Sequence, residues 1–202
     1  QSGGVLQLLV NGRLSNSGLL LGEQLIFNLF DLTNTGTVQS QSGDSIVNVS
    51  GSMQLTSQGR MLFAMQDTSG SGTVAITGSG FTNEGVLHSN GNLTLSAPEI
   101  LNNAGVSAVS TLQASTTQGL FDNRGTLYAG DSTDAYSAGV HSVIGQTFVN
   151  HGAIISGGEI EVEAKAVTHY RELKAGGDSG IPGTKYISTH WHPDVRPHIR
   201  TS

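Results

Sequence analysis

The stretch "FTNEGVLHSNGNLTL", residues 81–95, decides the fold. It sets an aromatic residue before Asn-x-Gly, adds two apolar residues, breaks at a polar Gly-containing turn, and closes on alternating Leu-Thr-Leu. Related phrases stand at "FDNRGTLYAG" (121–130) and "FVNHGAIISGGEIEV" (148–162). Asn-x-Gly itself occurs at Asn16/Gly18, Asn34/Gly36, Asn83/Gly85, Asn103/Gly105, Asn123/Gly125 and Asn150/Gly152, at spacings of 18, 49, 20, 20 and 27 residues. A unit of about 20 residues accommodates four of these intervals, and periods in that range mark stacked repeats. The interval of 49 then holds about two units whose phrase has decayed, with "SIVNVSG", "SMQLTS", "RMLFAMQ" and "GTVAITG" as candidate strands.

Composition says what kind of repeat this is. Gly accounts for 28 of 202 residues, and only 12% are charged, against roughly 25% in an ordinary soluble domain. Gly, Asn, Thr and Ser are poor helix formers, and no long 3.6-residue periodicity appears, which excludes a helical repeat. Period-2 alternation does appear: Ile160, Val162 and Ala164 alternate with Glu159, Glu161 and Glu163. Short strands joined by Gly or Asn turns every ~20 residues predict an all-β chain wound as a parallel β-helix. The alternative is a compact β-sandwich with Gly-rich turns.

In the β-helix reading, Asn and Gly make the corners, where backbone with φ > 0 is expected. Stacked asparagine amides would hydrogen-bond along the axis. The apolar pairs Val86-Leu87, Thr126-Leu127 and Ala153-Ile154 would fill the interior, and Phe81, Phe121 and Phe148 would lie beside one another. Coils repeating at ~4.8 Å would make a rod of roughly 40 Å from about eight turns.

Residues 1–164 carry 3 basic and 12 acidic side chains, whereas 165–202 carry 6 and 3. A net charge of −6 so distributed is no nucleic-acid footprint. Cysteine is absent, which excludes disulfides and thiolate metal sites. The most apolar segment, "GLLLGEQLIFNLF" (18–30), is interrupted by Glu23, Gln24 and Asn28 and falls short of a membrane helix, so no membrane insertion by this segment is expected. The start, "QSGGVLQLL", lacks the regions of a signal peptide, and the chain reads as a piece of something longer.

Motifs that could carry chemistry are weak. "GDSGIPG" (177–183) has the Gly-Asp-Ser-Gly of a serine-protease nucleophile but no matching histidine context upstream, and reads as a loop. In "HWHPDVRPH", His190 and His192 would share one face of a strand, with Asp194 and His198 nearby, yet a zinc site needs suitable third and fourth ligands. A surface loop is the plainer reading. The Glu159, Glu161 and Glu163 row reads as a solvated face, without the G-G-x-G-x-D pattern of calcium-binding rolls. "GSGSGTVAITGSG" lacks the Gly-Lys-Ser/Thr of a phosphate loop. β-Helices that process polysaccharides cluster Asp, Lys or Arg on one sheet, but only Arg13, Arg60 and Arg124 are basic before Lys165, so catalysis cannot be placed. No cofactor, metal or catalytic residue is expected.

The "F-x-N-x-G-x-L" phrase followed by a Gly turn and "L-x-L/I-x-V" is similar to the repeats of filamentous haemagglutinins. It also resembles the large exoproteins of two-partner secretion, including the CdiA effectors of contact-dependent growth inhibition. The resemblance covers about residues 11–165, without the secretion domain or the "VENN" boundary of that family. It implies a right-handed β-helical filament, secreted to the surface of a Gram-negative cell, and an interior or receptor-binding segment of it. The partner it implies is an outer-membrane protein or lipopolysaccharide of a neighbouring bacterium; a host-directed adhesin carries the same repeat.

Residues 166–202 break the pattern, with three of the 4 prolines, the only Trp and four of the 7 histidines. The expected organisation is therefore repeats over 1–165 and an irregular cap, insert or following region over 166–202, in a monomer. Long loops on a regular scaffold tend to carry recognition. Two are singled out, 128–145 and 186–200, with Tyr128, Asp131, Asp134, Tyr136, Tyr186, His190, Trp191, His192 and Arg196 as candidate receptor contacts. Trp, Tyr and Arg are the residue types that dominate binding hot spots.

Overall fold

A computed structural model describes residues 3–130, 140–157, 160–170, 172–175 and 199–201. Within them the chain is all-β, and its strands stack in parallel apart from Ile199–Thr201, which pairs antiparallel. Each turn of the chain crosses three faces, as three short strands or as one long and one short strand, and the next turn lays its own beside them. Successive turns begin near residues 5, 24, 45, 71, 92, 112, 140 and 160, and are called coils 1 to 8 below. The third face is an eight-stranded parallel sheet running from Leu19–Gly22 to Glu172–Ala175. The first and second faces are joined into one thirteen-stranded sheet, because long strands such as Gln24–Asn34 and Val140–Asn150 pass round the corner between them.

Register fixes the repeat. On the second face Phe81 pairs with Ile100 and Ile100 with Phe121, and the third face follows with Leu87, Val106 and Leu127. A strand's side chains alternate between its two faces, so one residue in two points inward. Inward columns therefore run along the axis: Phe27, Val47, Val74, Leu95 and Ala114 on the first face, all buried. On the second face Leu32, Met53, Phe81, Ile100, Phe121 and Phe148 do the same. Burying each such side chain contributes roughly 1.5–3 kcal/mol, and the core is one continuous cluster along the stack.

Three sequence expectations change in detail. Only one member of each apolar pair lies inside: Leu87 is fully buried while Val86 is 38% exposed, as period-2 alternation requires. The phenylalanines form no unbroken stack, because Ile100 separates Phe81 from Phe121. Phe121 and Phe148 do meet, edge to face, with ring centroids 5.2 Å apart. The third change concerns the corner glycines. Positive φ among the described residues falls at Gly43, Ala64, Gly80 and Gly130, not at Gly18, Gly36, Gly85, Gly125 or Gly152.

The corner glycines answer to a different constraint. A Cβ at Gly36 would collide with the carbonyl oxygen of Gly18, at Gly85 with that of Gly59, and at Gly125 with that of Ala104. Coil backbones close up at this corner, leaving no room for a side chain on the inner residue. Ala104 is the exception in the column, and beside it the Gly105 N–H reaches the Gly85 carbonyl only at 3.4 Å. Its counterparts, Val86 N–H to Gly59 and Thr126 N–H to Ala104, span 2.9 and 2.8 Å.

The strands proposed within the 49-residue interval are all present, as Ser45–Val49, Ser52–Leu55, Arg60–Phe63 and Ser71–Ile76. They build coil 3 and open coil 4, with Leu55 standing where other coils carry asparagine. The stack also continues past the compositional change at residue 165, through Ile160–His169 and Glu172–Ala175.

Candidate receptor-facing surface

The asparagines after the second-face strands determine where side chains can face outward. Asn83 Nδ2 donates to Asn102 Oδ1 at 2.8 Å, Asn102 to Asn123 at 2.8 Å, and Asn123 to Asn150 at 2.6 Å. Asn16 donates to Asn34 in the same way. Each amide also reaches a carbonyl of the following coil, such as Arg60 for Asn34 and Ala153 for Asn123. The column uses Asn102, not Asn103 as the Asn-x-Gly spacing suggests. Two adjacent asparagines made the register ambiguous, and pairing with Asn83 resolves it.

Immediately after this buried column the chain turns outward. The residues there form an external line: Thr35, Thr56, Glu84, Asn103, Arg124, His151 and Tyr170, each holding its N–H on the corner carbonyl one coil earlier. Its last three members, Arg124, His151 and Tyr170, carry its largest side chains. Arg124 donates from Nε and Nη2 to Asp122 Oδ2, at 2.9 and 2.8 Å. His151 and Tyr170 stack face to face with centroids 4.6 Å apart, and Tyr170 is 64% exposed.

Asp122 belongs to an outward row with Gln54, Thr82, Leu101 and Val149. Its Oδ1 is buried and makes no hydrogen bond. A groove of about 570 Å³ runs beside this row, lined by Gln54, Thr82, Glu99, Leu101, Asp122 and Arg124 among others. A second, of about 360 Å³, lies across coils 1 to 4 between Leu9, Asn28, Phe30 and Asn48. There Asn48 Nδ2 donates to Asn28 Oδ1 at 3.0 Å.

Two further acids, Asp31 and Asp67, are spent on local structure. Ser52 N–H and hydroxyl both donate to Asp31 Oδ1, at 2.8 and 3.0 Å, which holds its carboxyl below the usual value. Asp67 is lowered chiefly by the Ser69 hydroxyl and N–H, and also by the Gly43 N–H. Among the described residues no three His, Asp or Glu side chains converge as metal ligands would.

Of the sequence-predicted contacts, Tyr128 is described. It lies in the strand Thr126–Ala129, in an outward row with His88, Ser107 and Ile155. Strands also occupy part of the expected 128–145 loop: Thr126–Ala129 ends it on one side and Val140–Asn150 begins on the other. Asp131, Asp134, Tyr136, Tyr186, His190, Trp191, His192 and Arg196 lie outside the described residues, as does most of the 186–200 element. The side chains of Glu159, Glu161 and Glu163 are likewise outside them.

Sequence reasoning passed over Asp122, Arg124, His151 and Tyr170. The signal was available: residues directly after each corner asparagine recur at the coil period and must share one outer line. No family model, curated protein or solved structure matches the chain.

Proposed function

We propose that this chain is a non-catalytic segment of a right-handed β-helical filament on a Gram-negative cell surface, presenting a receptor-binding surface to a neighbouring bacterium. Its partner is an outer-membrane protein or lipopolysaccharide, as in the CdiA-type exoproteins whose repeat it resembles. The observation that carries this reading is the in-register corner column. The residues Asn16, Asn34, Asn83, Asn123 and Asn150, on which the resemblance rests, occupy one corner position, in coils 1, 2, 4, 6 and 7, with Asn102 in coil 5 and Leu55 in coil 3. A scaffold so regular supports long loops at fixed positions along a rod, and such loops tend to carry recognition.

The segments 131–139 and 186–200 are the contact elements in this reading, with Trp191 as an aromatic anchor. A pull-down of outer-membrane proteins with the purified chain tests it, alongside Trp191→Ala and a variant with 131–139 shortened. Capture that weakens in either variant supports the assignment. Equal capture by both variants removes these elements from consideration. Capture of host-cell components in place of bacterial ones would make the protein a host-directed adhesin.

A further inference from the structure

The groove beside the outward row Gln54, Thr82, Leu101 and Asp122 lies inside the stack, across coils 3 to 6, and owes nothing to either end. Its depth comes from a missing side chain. Ser52 and Leu120 stand outward in the neighbouring row, and Gly80, paired with Ser52, adds nothing between them. A Cβ at Gly80 would also approach the Glu99 carbonyl at 2.9 Å, the group that accepts the Phe81 N–H. From coil 3 to coil 6 is three steps of ~4.8 Å, or about 14 Å, the length of about four residues of extended chain.

The lining changes character along that length. On coils 3 and 4 the side chains of Gln54 and Thr82 make no hydrogen bond among the described residues, which leaves them free to bond a peptide backbone. Leu101, half-buried, and Leu120, 38% exposed, give an apolar stretch on coils 5 and 6. Glu99 and Asp122 stand there with Arg124, two carboxylates against one guanidinium. The same sign prevails around them, with 12 acidic and 3 basic side chains over residues 1–164. An approaching cation is drawn in and an anion is repelled.

Asp122 carries more than the fold asks of it. The residue is 6% exposed, Arg124 Nε and Nη2 both donate to its Oδ2, and its Oδ1 has no donor. Arg124 is 57% exposed at its side chain, so solvent weakens its hold. An incoming ammonium or guanidinium can take its place on the carboxylate while Arg124 turns to water. We propose that the groove binds an extended segment of a partner protein, about four residues long, whose lysine or arginine docks on Asp122 and Glu99. The segment's backbone runs past Gln54 and Thr82, and an apolar side chain covers Leu101 and Leu120. A saccharide fits less well, because Phe81, the ring in the lining, is 2% exposed and offers no face to a sugar. This site is separate from the loops 131–139 and 186–200 and does not depend on the filament reading.

The test titrates the isotope-labelled full chain with the peptide acetyl-Thr-Leu-Thr-Lys-amide and follows it by NMR. The amides of Gln54, Thr82, Leu101 and Asp122 should shift together, with Kd at or below about 1 mM. The same peptide with acetyl-lysine or glutamate in place of lysine should bind at least about tenfold more weakly. Glu99→Gln should weaken binding at least about threefold, and Asp122→Val at least about tenfold, since valine leaves Arg124 unopposed in the groove. Arg124→Ala should tighten it at least about threefold by removing the competing cation, a gain that lost packing would not produce. Glu23→Gln, at the corner between Leu19–Gly22 and Gln24–Asn34, controls for net charge and should leave binding unchanged. No saturable shift, shifts centred on another face, or equal binding of the glutamate peptide overturns the proposal. So does an Arg124→Ala chain that binds no more tightly, or a Glu23→Gln chain weakened as much as Glu99→Gln. Should Asp122→Val fail to fold, Glu99→Gln and Arg124→Ala decide alone. Capture of outer-membrane proteins is read separately, so failure of the groove and failure of the loop contacts give different results.

Discussion

Asn102 donates its side-chain amide to Asn123 at 2.8 Å, both residues fully buried and 21 positions apart in sequence. Neither touches solvent, so each bond in the column must satisfy groups that water cannot reach. Asn123 sits mid-column, accepting from Asn102 and donating to Asn150 Oδ1 and the Ala153 carbonyl. Asn123→Asp retains the acceptor and removes the donor, placing a carboxylate against two oxygens. A loss of roughly 3 kcal/mol or more is expected in urea unfolding. Asn123→Leu should cost less than Asn123→Asp, following the coil that carries Leu55 in this column. The reverse order would mean that the amide chain is not what holds the corner.

The corner glycines separate two explanations that sequence alone leaves joined. If Gly were needed for its left-handed backbone, every Asn-x-Gly glycine would resist substitution alike. The structure makes them unequal. Gly125→Ala drives a methyl into the Ala104 carbonyl and should destabilise by about 1–3 kcal/mol, the usual range for overpacking. Gly105→Ala meets open space in an ordinary strand and should be neutral or stabilising by up to about 1 kcal/mol. Thermal unfolding of the two variants beside the parent reads the difference directly.

That contrast also shows what was legible in advance. The period, the all-β class and the buried asparagine ladder could be read from spacing, because stacked backbones force the same residue types to recur at each corner. The exact member of each pair could not: Asn102 or Asn103, Val86 or Leu87, depends on register between coils, which a single coil's sequence does not contain. Likewise the outer line ending in Arg124, His151 and Tyr170 was missed because its members share a position and not a residue type. Phe63 gives a last instance. Its ring occupies the space above Gly72, the first residue of the candidate strand "GTVAITG", so this glycine makes room for a neighbour's side chain in a way that one coil's sequence does not reveal.

Acid should loosen the corners held by carboxylates. Asp31 and Asp67 both have folded-state pKa values below the ordinary one, through the donors on Ser52 and on Ser69 respectively. A depressed folded pKa means that the stabilising contribution is present above the unfolded-state value and disappears as pH falls through the folded one. Tm should therefore be level from neutral pH to about 5 and decline below about 4. Both groups are open to solvent, so the decline is expected to be shallow and weaker in high salt. Ser52→Ala should flatten the part due to Asp31, and a titration of the Asp31 carboxyl by NMR would show its pKa moving back up.

Asp122 is the residue that folding explains least. Its outward row is otherwise built from neutral side chains, with Leu101 before it and Val149 after. One carboxylate oxygen takes both Arg124 donors and the other is buried without a partner. Arg124 is 57% exposed at its side chain, so water can replace Asp122 as its partner at little cost. Removing the whole carboxylate also removes the unsatisfied oxygen, and apolar replacements of such groups are often neutral or stabilising. Asp122→Val is thus expected to leave stability unchanged or to raise it by about 1–2 kcal/mol in urea unfolding. Asp122→Asn keeps a polar group in the same packed position and should fall below the valine variant. A loss of more than about 1 kcal/mol in the valine variant would show that the pair with Arg124 holds coil 6 in place. A gain would instead mark Asp122 as a residue the scaffold tolerates without needing, directly beside the groove that Gln54, Thr82 and Glu99 help to line.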